Sequence, residues 1–386
     1  MQNGYCLKMP REVYSGEGAL DRIGPILKKY GAHRVAVFTD RGIAASGLLE
    51  LPMQKIRQAG VQAILLDDLP PEPTWGQAQK LVDGCRAAGA DFIVAVGGGS
   101  VMDTAKLASV LMTDVYGVRD LLKDPGLARK RVPAMMIPTT AGTGSEATPN
   151  AIVAVPEQEL KIGIVSDEMI ADVVILDAEM IRALPFKIAA STGVDALAHA
   201  IECWTSKKAN PLSDIFALRA LDMILNNILP ACADPQDMEA KRQMQLASFW
   251  AGVAITASGT TAVHALSYPL GGKYHIAHGV SNAILLAPVM RFNEPCCRQR
   301  LAQAYVQCMH GEKLCGSDEE KSRHMIKWLE NIVRELKIPV SLKEFGVGEQ
   351  ELDSLARAGM QVERLLVNNP REVSLEDARQ LYRQVL

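Results

Sequence analysis

Strand and helix signals alternate along the first half of the chain and stop near its midpoint, and no other feature constrains the fold as strongly. Short apolar or β-branched runs occur at residues 34–39, 63–66, 91–96, 134–138, 151–155, 162–165 and 173–176. Amphipathic segments with helical spacing lie between the early runs, at 19–30, 48–59 and 75–88. This alternation predicts a mostly parallel sheet covered by helices on both faces.

The second half differs, because after Pro185 only helical periodicity broken by Gly and Pro remains. At about 100–200 residues per domain, 386 residues predict two domains. We therefore expect an α/β domain over residues 1–185 and an all-helical domain over residues 186–386. The last three strand runs, at 151–176, have no helix between them and predict a hairpin or meander appended to the sheet.

Charge and cysteine content exclude several classes of protein. The chain has 41 Lys and Arg against 44 Asp and Glu, without a basic block, so no nucleic-acid partner is expected. No run approaches the ~18 apolar residues of a membrane span, and the N-terminus lacks the apolar segment of a secretory signal. Eight cysteines without a CxxC pair predict free thiols in the cytoplasm.

Glycines follow the third strand run directly, as Gly97, Gly98 and Gly99, with Ser100 next. Glycine lets the backbone approach a ligand closely, and the helix that follows points its N–H groups and positive dipole end at it. The run therefore indicates a pyrophosphate site, although it is neither G-x-G-x-x-G nor a Walker loop. A tight turn that uses glycine only for its geometry is the alternative.

Two other features support a nucleotide site. The loop after the strand run at 134–138 carries hydroxyl groups at Thr139, Thr140, Thr143 and Ser145. They can donate to phosphate or ribose oxygens, although the loop alone is equally consistent with a helix cap. Asp40 ends the first strand run, where a carboxylate can accept both ribose hydroxyls of an adenosine and repel a 2′-phosphate. An exposed turn residue would give the same pattern.

A carboxylate and several histidines stand in the helical half. Asp195 and His199 are four residues apart and share one face of a helix. With His264 and His278 they form a donor set suited to Fe²⁺ or Zn²⁺. Spacing alone also allows a hydrogen-bonded core histidine and a helix-surface Asp/His pair.

These motifs resemble those of the iron-containing (group III) alcohol dehydrogenases. The resemblance rests on GGGSVMDTAK (97–106), PTTAGTGSEAT (138–148), TGVDALAHAIE (192–202), VHAL…PLGG…HG…NAILL (263–286) and NNPREVSLED (368–377). It implies a dehydroquinate synthase-like fold, in which a Rossmann-like dinucleotide-binding domain precedes an all-helical metal-binding domain. It also implies an NAD(H)-linked enzyme acting on a small alcohol, aldehyde or diol, with Fe²⁺ or Zn²⁺, assembled as a homodimer or larger homo-oligomer.

The resemblance assigns roles to individual residues. It implies that Asp195, His199, His264 and His278 are the metal ligands. It implies that NAD(H) is held by Asp40, Gly97, Gly98, Gly99, Ser100, Thr139, Thr140, Thr143, Ser145 and Lys161. The carboxylate of Asp40 favours NAD over NADP. Asn150 matches a family position near the substrate.

Departures from the family pattern concern the substrate. Tyr268 replaces a family histidine near the nicotinamide, and a phenol is a poor proton carrier near pH 7. We therefore expect His275 to relay the proton, with a surface histidine as the alternative, and Tyr268 to orient the carbonyl. Ile255 replaces a common aromatic residue, and Thr260-Thr261 replace a frequent Leu-Gly. The predicted pocket, lined by Asn150, Ile255, Thr260 and Thr261, is correspondingly more polar.

Three other functions fit the same superfamily. They are a dehydroquinate-synthase-like lyase that uses NAD transiently, a metal-independent maleylacetate-reductase-like enzyme, and a non-catalytic oligomeric subunit. The segments DALAHAIE and TTAGTGSE favour the alcohol dehydrogenase branch over the lyase. The complete ligand set and glycine loop argue against the other two.

Overall fold

The structure is a computed structural model that describes residues 4–158, 160–311 and 315–386. The chain divides into two compact units. One is the α/β unit, Lys8–Leu184, and the other is the helical unit, Pro185–Leu386 together with the described residues 4–7. The prediction had placed these first residues in the α/β domain, but they are not part of its sheet.

Eight strands lie in the described part of the α/β unit. They are β1 (Glu12–Ser15), β2 (Arg34–Phe38), β3 (Gln62–Leu66), β4 (Phe92–Gly97), β5 (Ala134–Pro138), β6 (Asn150–Val155), β7 (Leu160–Val165) and β8 (Val173–Leu176). Six of them form a parallel sheet in the order β1-β8-β5-β4-β2-β3. Every residue of β4, β5 and β8 is buried, which is why these strands read as continuous apolar runs in the sequence.

Six α-helices belong to the same unit. They are α1 (Ile23–Lys29), α2 (Arg41–Ser46), α3 (Glu50–Gln58), α4 (Trp75–Ala87), α5 (Gly99–Val110) and α6 (Val118–Lys123). The start of α4 is set by a capping box, in which the Thr74 side chain accepts from the backbone of Gln77 and the Gln77 side chain accepts from the backbone of Thr74. The seven predicted strand runs and the three predicted helical segments are confirmed.

The last three strands differ from the prediction. Strands β6 and β7 form an antiparallel hairpin that is a separate two-stranded sheet. Strand β8 instead lies in the main sheet, parallel to β1 and β5. The expectation of a hairpin or meander over 151–176 is therefore confirmed for the β6–β7 hairpin and wrong for β8. A short apolar run reports burial but not which strand it pairs with.

The strand order places the ends of β2 and β4 side by side. From β2 the chain continues outward to β3 on one side, and from β4 it continues to β5 on the other. The hydroxyl of Thr39, directly after β2, donates to the carbonyl of Val96 in β4 at 2.8 Å. In open α/β sheets, ligands bind outside the carboxyl ends of strands at such a reversal.

The described residues from 187 to 386 contain helices and no strands, as predicted. The α-helices are α7 (Phe186–Thr205), α8 (Pro211–Ala233), α9 (Met238–Ser258), α10 (Ala262–Tyr274), α11 (His278–Cys308), α12 (Asp318–Glu335), α13 (Leu352–Met360), α14 (Glu363–Leu366) and α15 (Leu375–Arg383). Helix α7 packs against α8, α9 and α11, and α10 packs against α11, α13 and α14.

One helix corrects an expectation about membranes. In the described part of the chain, α8 is long and apolar enough to span a bilayer by length and composition, and α9 and α10 pass the same test jointly, bent by 108°. The expectation that no segment approaches the length and apolar character of a membrane span is therefore wrong. Such helices are weak evidence for a membrane protein, because core helices of soluble proteins also pass. Helix α8 buries Ala220, Leu221, Ile224 and Ile228 and packs against α7 and α9.

Candidate metal centre and nucleotide-binding loops

Three helices of the helical unit bring four donor side chains together. Asp195 and His199 lie on α7, His264 lies on α10, and His278 is the first residue of α11. From Oδ1 of Asp195, the Nε2 atoms of His199, His264 and His278 lie at 3.9, 3.5 and 3.5 Å. The ligand atoms of Asp195, His199 and His264 all lie within 4.8 Å of one another. We call these four residues the donor cluster.

The donor cluster fits a divalent transition metal. A tetrahedral ion with bonds of about 2.1 Å has edges of about 3.4 Å between ligand atoms, close to the observed spacing. The rings of His199 and His264 stack with their centroids 4.4 Å apart, so their Nε2 edges are held in a fixed relation. One carboxylate and three imidazoles form a donor set that Fe²⁺ and Zn²⁺ both accept.

The electrostatics of the cluster favour a cation. Burial alone would raise the pKa of Asp195, but His199, His278 and His264 together hold it well below its usual range. Burial would lower the pKa of His264, but the charge of Glu202 and hydrogen bonds with Asp195 and Glu202 raise it to about 9. Because of this raised pKa, a metal that binds to His264 must displace a proton from its ring. Metal affinity therefore increases as pH rises.

Glu202 is a site residue that the sequence analysis missed. Its Oε1 accepts hydrogen bonds from Thr261 N at 3.1 Å, Thr261 Oγ1 at 2.5 Å and Val263 N at 2.8 Å. Its Oε2 bonds to Nδ1 of His264. This carboxylate is fully buried and holds the first turn of α10 against α7. When His264 is neutral and its Nδ1 donates to Glu202, the Nε2 lone pair faces the donor cluster.

A sequence signal for Glu202 exists. It stands three residues after His199 and seven after Asp195, so all three lie on one face of α7. A second missed residue is Asn282, one helical turn after His278. Its Nδ2 donates to Oδ1 of Asp195 at 2.7 Å, and it lies 3.2 Å from Nε2 of His264.

The segment NNPR, which had no assigned role, supports the entry into α10. Nδ2 of Asn368 donates to the carbonyl of Thr260 at 3.0 Å, and Oδ1 of Asn369 accepts from Ala262 N at 3.4 Å. Nδ2 of Asn369 in turn donates to Oδ1 of Asn293 on α11 at 2.7 Å. Asn368 and Asn369 therefore fix the loop that leads into α10, the helix that carries His264.

In the α/β unit, close packing explains two of the three glycines. A Cβ at Gly97 would lie 2.6 Å from Cβ of Val101, and a Cβ at Gly99 would lie 2.9 Å from Cγ2 of Thr143. The first contact is between β4 and α5, and the second joins α5 to the hydroxyl-rich loop after β5. The structure thus places the two predicted nucleotide-binding loops against each other at the N-terminus of a 12-residue helix.

The loops also hold an unpartnered polar atom. Among the described residues, Oγ1 of Thr140 is buried without a hydrogen-bond partner, and it lies 3.7 Å from the position of a Cβ at Gly98. Buried hydroxyl groups rarely stay unpaired, so this atom fits a bound ligand. Thr139 donates its N–H to Gly97 O at 3.0 Å, and Ser100 Oγ accepts from Glu72 N at 3.2 Å.

A buried ion pair anchors the second loop. Nζ of Lys106, which is fully buried, lies 2.9 Å from Oδ1 of Asp103 and donates to the carbonyl of Ser145 at 2.9 Å. The hydroxyl of Ser145 donates to Oδ1 of Asp103, whose Oδ2 accepts from Ile152 N at 2.9 Å. These contacts give a structural role to Asp103 and Lys106, the first and last residues of the segment DTAK (103–106). They also commit the Ser145 hydroxyl, a predicted NAD(H) contact, to the protein interior.

Of the other two predicted cofactor residues, Asp40 follows β2 of the main sheet, whereas Lys161 lies on the separate hairpin of β6 and β7. Asp40 caps α2, with Oδ1 accepting from Ile43 N at 2.9 Å, directly after β2. Lys161, on β7, is ion-paired with Glu72 at 2.6 Å. Both placements are consistent with a nucleotide at the carboxyl ends of β2 and β4, and their roles stay predictions.

The predicted substrate residues are divided between the units. Asn150 begins β6 in the α/β unit, whereas Ile255 on α9 and Thr260 and Thr261 before α10 belong to the helical unit. The buried Thr261 hydroxyl donates a hydrogen bond to Glu202, and this contact supports the start of α10. Substrate contact by these four residues is a prediction that this geometry does not test.

The two predicted proton-handling residues lie on and after α10. Tyr268 is buried, and its ring centroid lies 5.9 Å from that of His278. His275 ends α10 in the left-handed conformation, with φ of 54°, and is exposed to solvent. The structure therefore brings Tyr268 to the donor cluster and places His275 at the surface beyond it.

Comparison with known proteins gives a consistent result for both units. The family model described as iron-containing alcohol dehydrogenase matches residues 10–178, and that of the C-terminal part of the Fe-containing alcohol dehydrogenase family matches residues 189–386. A similar curated protein is long-chain-alcohol dehydrogenase 1 of Geobacillus thermodenitrificans (strain NG80-2), 37% identical over 376 residues, which are 97% of this chain and 94% of the relative.

Two solved structures are similar over nearly the whole chain. One is 1,3-propanediol oxidoreductase, with a TM-score of 0.95 and 28% identity over 100% of both chains. The other is sulfoacetaldehyde reductase from Bifidobacterium kashiwanohense in complex with NAD⁺, with a TM-score of 0.88 and 26% identity over 99% of both chains.

Proposed function

Because this chain belongs to the iron-containing alcohol dehydrogenase family, we propose that it is a metal-dependent, NAD(H)-linked oxidoreductase. It transfers a hydride between the nicotinamide and a small alcohol, aldehyde or diol. The observation that carries this proposal is the convergence of Asp195, His199 and His264, whose ligand atoms lie within 4.8 Å of one another.

The protein's own residues have distinct roles in this reaction. We assign metal binding to Asp195, His199, His264 and His278, with Glu202 holding His264 in the tautomer that exposes Nε2. When bound, Fe²⁺ or Zn²⁺ supplies a Lewis acid and NAD⁺ supplies the hydride acceptor.

Cofactor binding is assigned to the α/β unit. The N-terminus of α5 offers unpaired N–H groups and a positive dipole end to the pyrophosphate. The unpartnered hydroxyl of Thr140 supplies a hydrogen bond, and Asp40 selects NAD over NADP by accepting ribose hydroxyls and repelling a 2′-phosphate. Gly97, Gly98 and Gly99 allow the close approach, and the remaining proposed contacts are Ser100, Thr139, Thr143 and Lys161. Ser145, whose hydroxyl is bound to Asp103, is proposed to support the loop that carries Thr139 and Thr143.

The proposal is tested by a panel of aldehydes with NADH, run on protein stripped of metal and reloaded with iron or with zinc. We expect oxidation of NADH only in the reloaded samples, because the donor cluster needs a cation to bind the substrate oxygen. Full activity in metal-free protein would contradict the scheme and favour a maleylacetate-reductase-like enzyme. A redox-neutral conversion without net NADH consumption would favour the lyase.

His275 is proposed as the group that passes the proton to solvent, because it is exposed and follows the helix that carries His264 and Tyr268. The change His275→Asn removes the imidazole but keeps a residue that tolerates a positive φ. We expect turnover to fall about tenfold with an unchanged metal content, since general acid–base catalysis typically contributes 10²–10⁴-fold and water can replace part of it. Unchanged turnover from pH 6 to 9 would exclude the relay.

Assembly and location are further parts of the proposal. Homodimers or larger homo-oligomers are the commonest soluble assemblies with closed symmetry, and we propose one for this chain. All eight cysteines, each within the described residues, are free of disulfide bonds, which supports a reducing compartment such as the cytoplasm.

A further inference from the structure

The donor cluster is more exposed at one ligand than at the other three. The side chains of Asp195, His264 and His199 are 3%, 3% and 7% exposed, whereas that of His278 is 31% exposed. A substrate that reaches the cluster must therefore approach on the His278 side. Tyr268 lies on that side, since its ring packs beside the imidazole of His278.

Tyr268 connects this approach to an arginine. Tyr268 belongs to a small hydrophobic cluster with Ala265 and with Leu365 of α14, and its hydroxyl accepts a hydrogen bond from Nη2 of Arg364 at 3.4 Å. Burial raises the pKa of Tyr268, while Arg364 lowers it and Asp195 raises it, so the phenol interacts with both charges. Arg364 is thus linked to the donor cluster through one buried side chain, that of Tyr268.

Arg364 differs from other arginines of the C-terminal helices. Arg357, Arg379 and Arg383 each form an ion pair with a carboxylate. Arg364 forms no ion pair with any described residue, and its side chain is exposed. The phenol of Tyr268 accepts from one of the five N–H donors of Arg364. An oriented guanidinium without an acidic partner is suited to bind a carboxylate in a fork geometry.

We propose that Arg364 determines the substrate class by binding a carboxylate carried by the alcohol or aldehyde. This inference rests on the proposed function and specifies its substrate as a short hydroxy acid or the corresponding oxo acid. In the reductive direction, the carbonyl carbon of the oxo acid takes the hydride of NADH and its oxygen takes a proton, which gives the hydroxy acid and NAD⁺. The carboxylate is unchanged and stays on Arg364.

Matched substrates test the proposal. Butanal and 4-oxobutanoate have the same number of carbons and differ in a terminal carboxylate. With NADH and metal-loaded protein, we expect kcat/KM for 4-oxobutanoate to exceed that for butanal by about 30-fold, the worth of a charge-assisted pair. In Arg364→Ala this ratio falls to about one, mainly through KM. Arg364→Lys keeps part of the preference, because it retains the charge but not the fork.

Arg357→Ala is the matched control. It also removes one positive charge from the C-terminal helices, but the lost partner is Asp353, so the substrate ratio should stay at the wild-type value.

A wild-type protein that prefers butanal, or an Arg364→Ala variant that keeps the preference, overturns the inference and leaves the proposed function intact. If neither aldehyde is reduced, the aldehyde panel on metal-reloaded protein decides the proposed function separately. Calorimetry with succinate then decides the inference: tighter binding to wild type than to Arg364→Ala supports it, and equal binding overturns it.

Discussion

Asp195→Asn is expected to release the metal and abolish turnover. Asp195 is the only anionic ligand of the donor cluster, and the amide keeps its shape while removing the charge. Structural Zn²⁺ sites bind with about 10–16 kcal/mol, or about 3–4 kcal/mol per ligand, so losing one ligand lowers affinity about 100- to 1,000-fold. Elemental analysis after dialysis measures the metal content, and kcat/KM with NADH measures the reaction.

Asp222→Asn serves as the control for this change. Asp222 also contacts a histidine, with Oδ1 2.6 Å from Nε2 of His310, but this pair lies outside the donor cluster. We expect the control to keep its metal and its activity. Normal metal content and wild-type turnover in Asp195→Asn would refute the assignment of the donor cluster as a metal site.

Gly279→Ala is expected to have the largest effect on the stability of the helical unit. A Cβ at Gly279 would lie 2.0 Å from the backbone oxygen of Ser191 and 2.6 Å from its carbonyl carbon. These are backbone atoms of α7, so the clash is relieved only if α7 and α11 move apart. We expect the free energy of unfolding to fall by about 3 kcal/mol. Asp195 and His278 lie on these two helices, so metal affinity should fall as well.

Gly76→Ala is the matched substitution. Gly76 lies in the first turn of α4, and a Cβ there meets no atom within 4 Å. Alanine is the better helix former, so this change should stabilise the protein by about 0.5–1 kcal/mol. Urea unfolding of both variants compares them directly. A Gly279→Ala protein as stable and as metal-rich as wild type would show that the two helices have room to adjust.

The sequence predicted the strands of the sheet better than it predicted which strands pair with each other. Strands β4 and β5 were identifiable because burial on both faces requires continuous apolar runs. Strand β1 was missed, since its four residues, EVYS, are half-buried or exposed and carry no such run. The return of β8 to the main sheet depends on pairing with β1, which no local pattern encodes.

The metal centre was only partly accessible from spacing. Asp195 and His199 could be placed on one helix face, but nothing local joins them to His264, 65 residues further along. That link came from the family resemblance. Glu202 stood on the same helix face and was overlooked because a carboxylate in a helix is usually a surface residue. Its role depends on four donors at the start of α10, two from Thr261 and one each from Val263 and His264, which only the structure supplies.

The buried pair of Asp103 and Lys106 constrains how this chain can change over evolutionary time. Removing either partner alone strands a charge in the interior, at a cost of about 3–5 kcal/mol, while replacing both with apolar residues of similar volume is far less damaging. Ser145 and Ile152 are bound to the same carboxylate, so an inherited change at Asp103 also releases the loop at Ser145 and the strand β6 at Ile152. Descendants of this sequence should therefore keep both residues or lose both. Laboratory selection that shuffles the nucleotide-binding loops will succeed more often when the two positions are varied together.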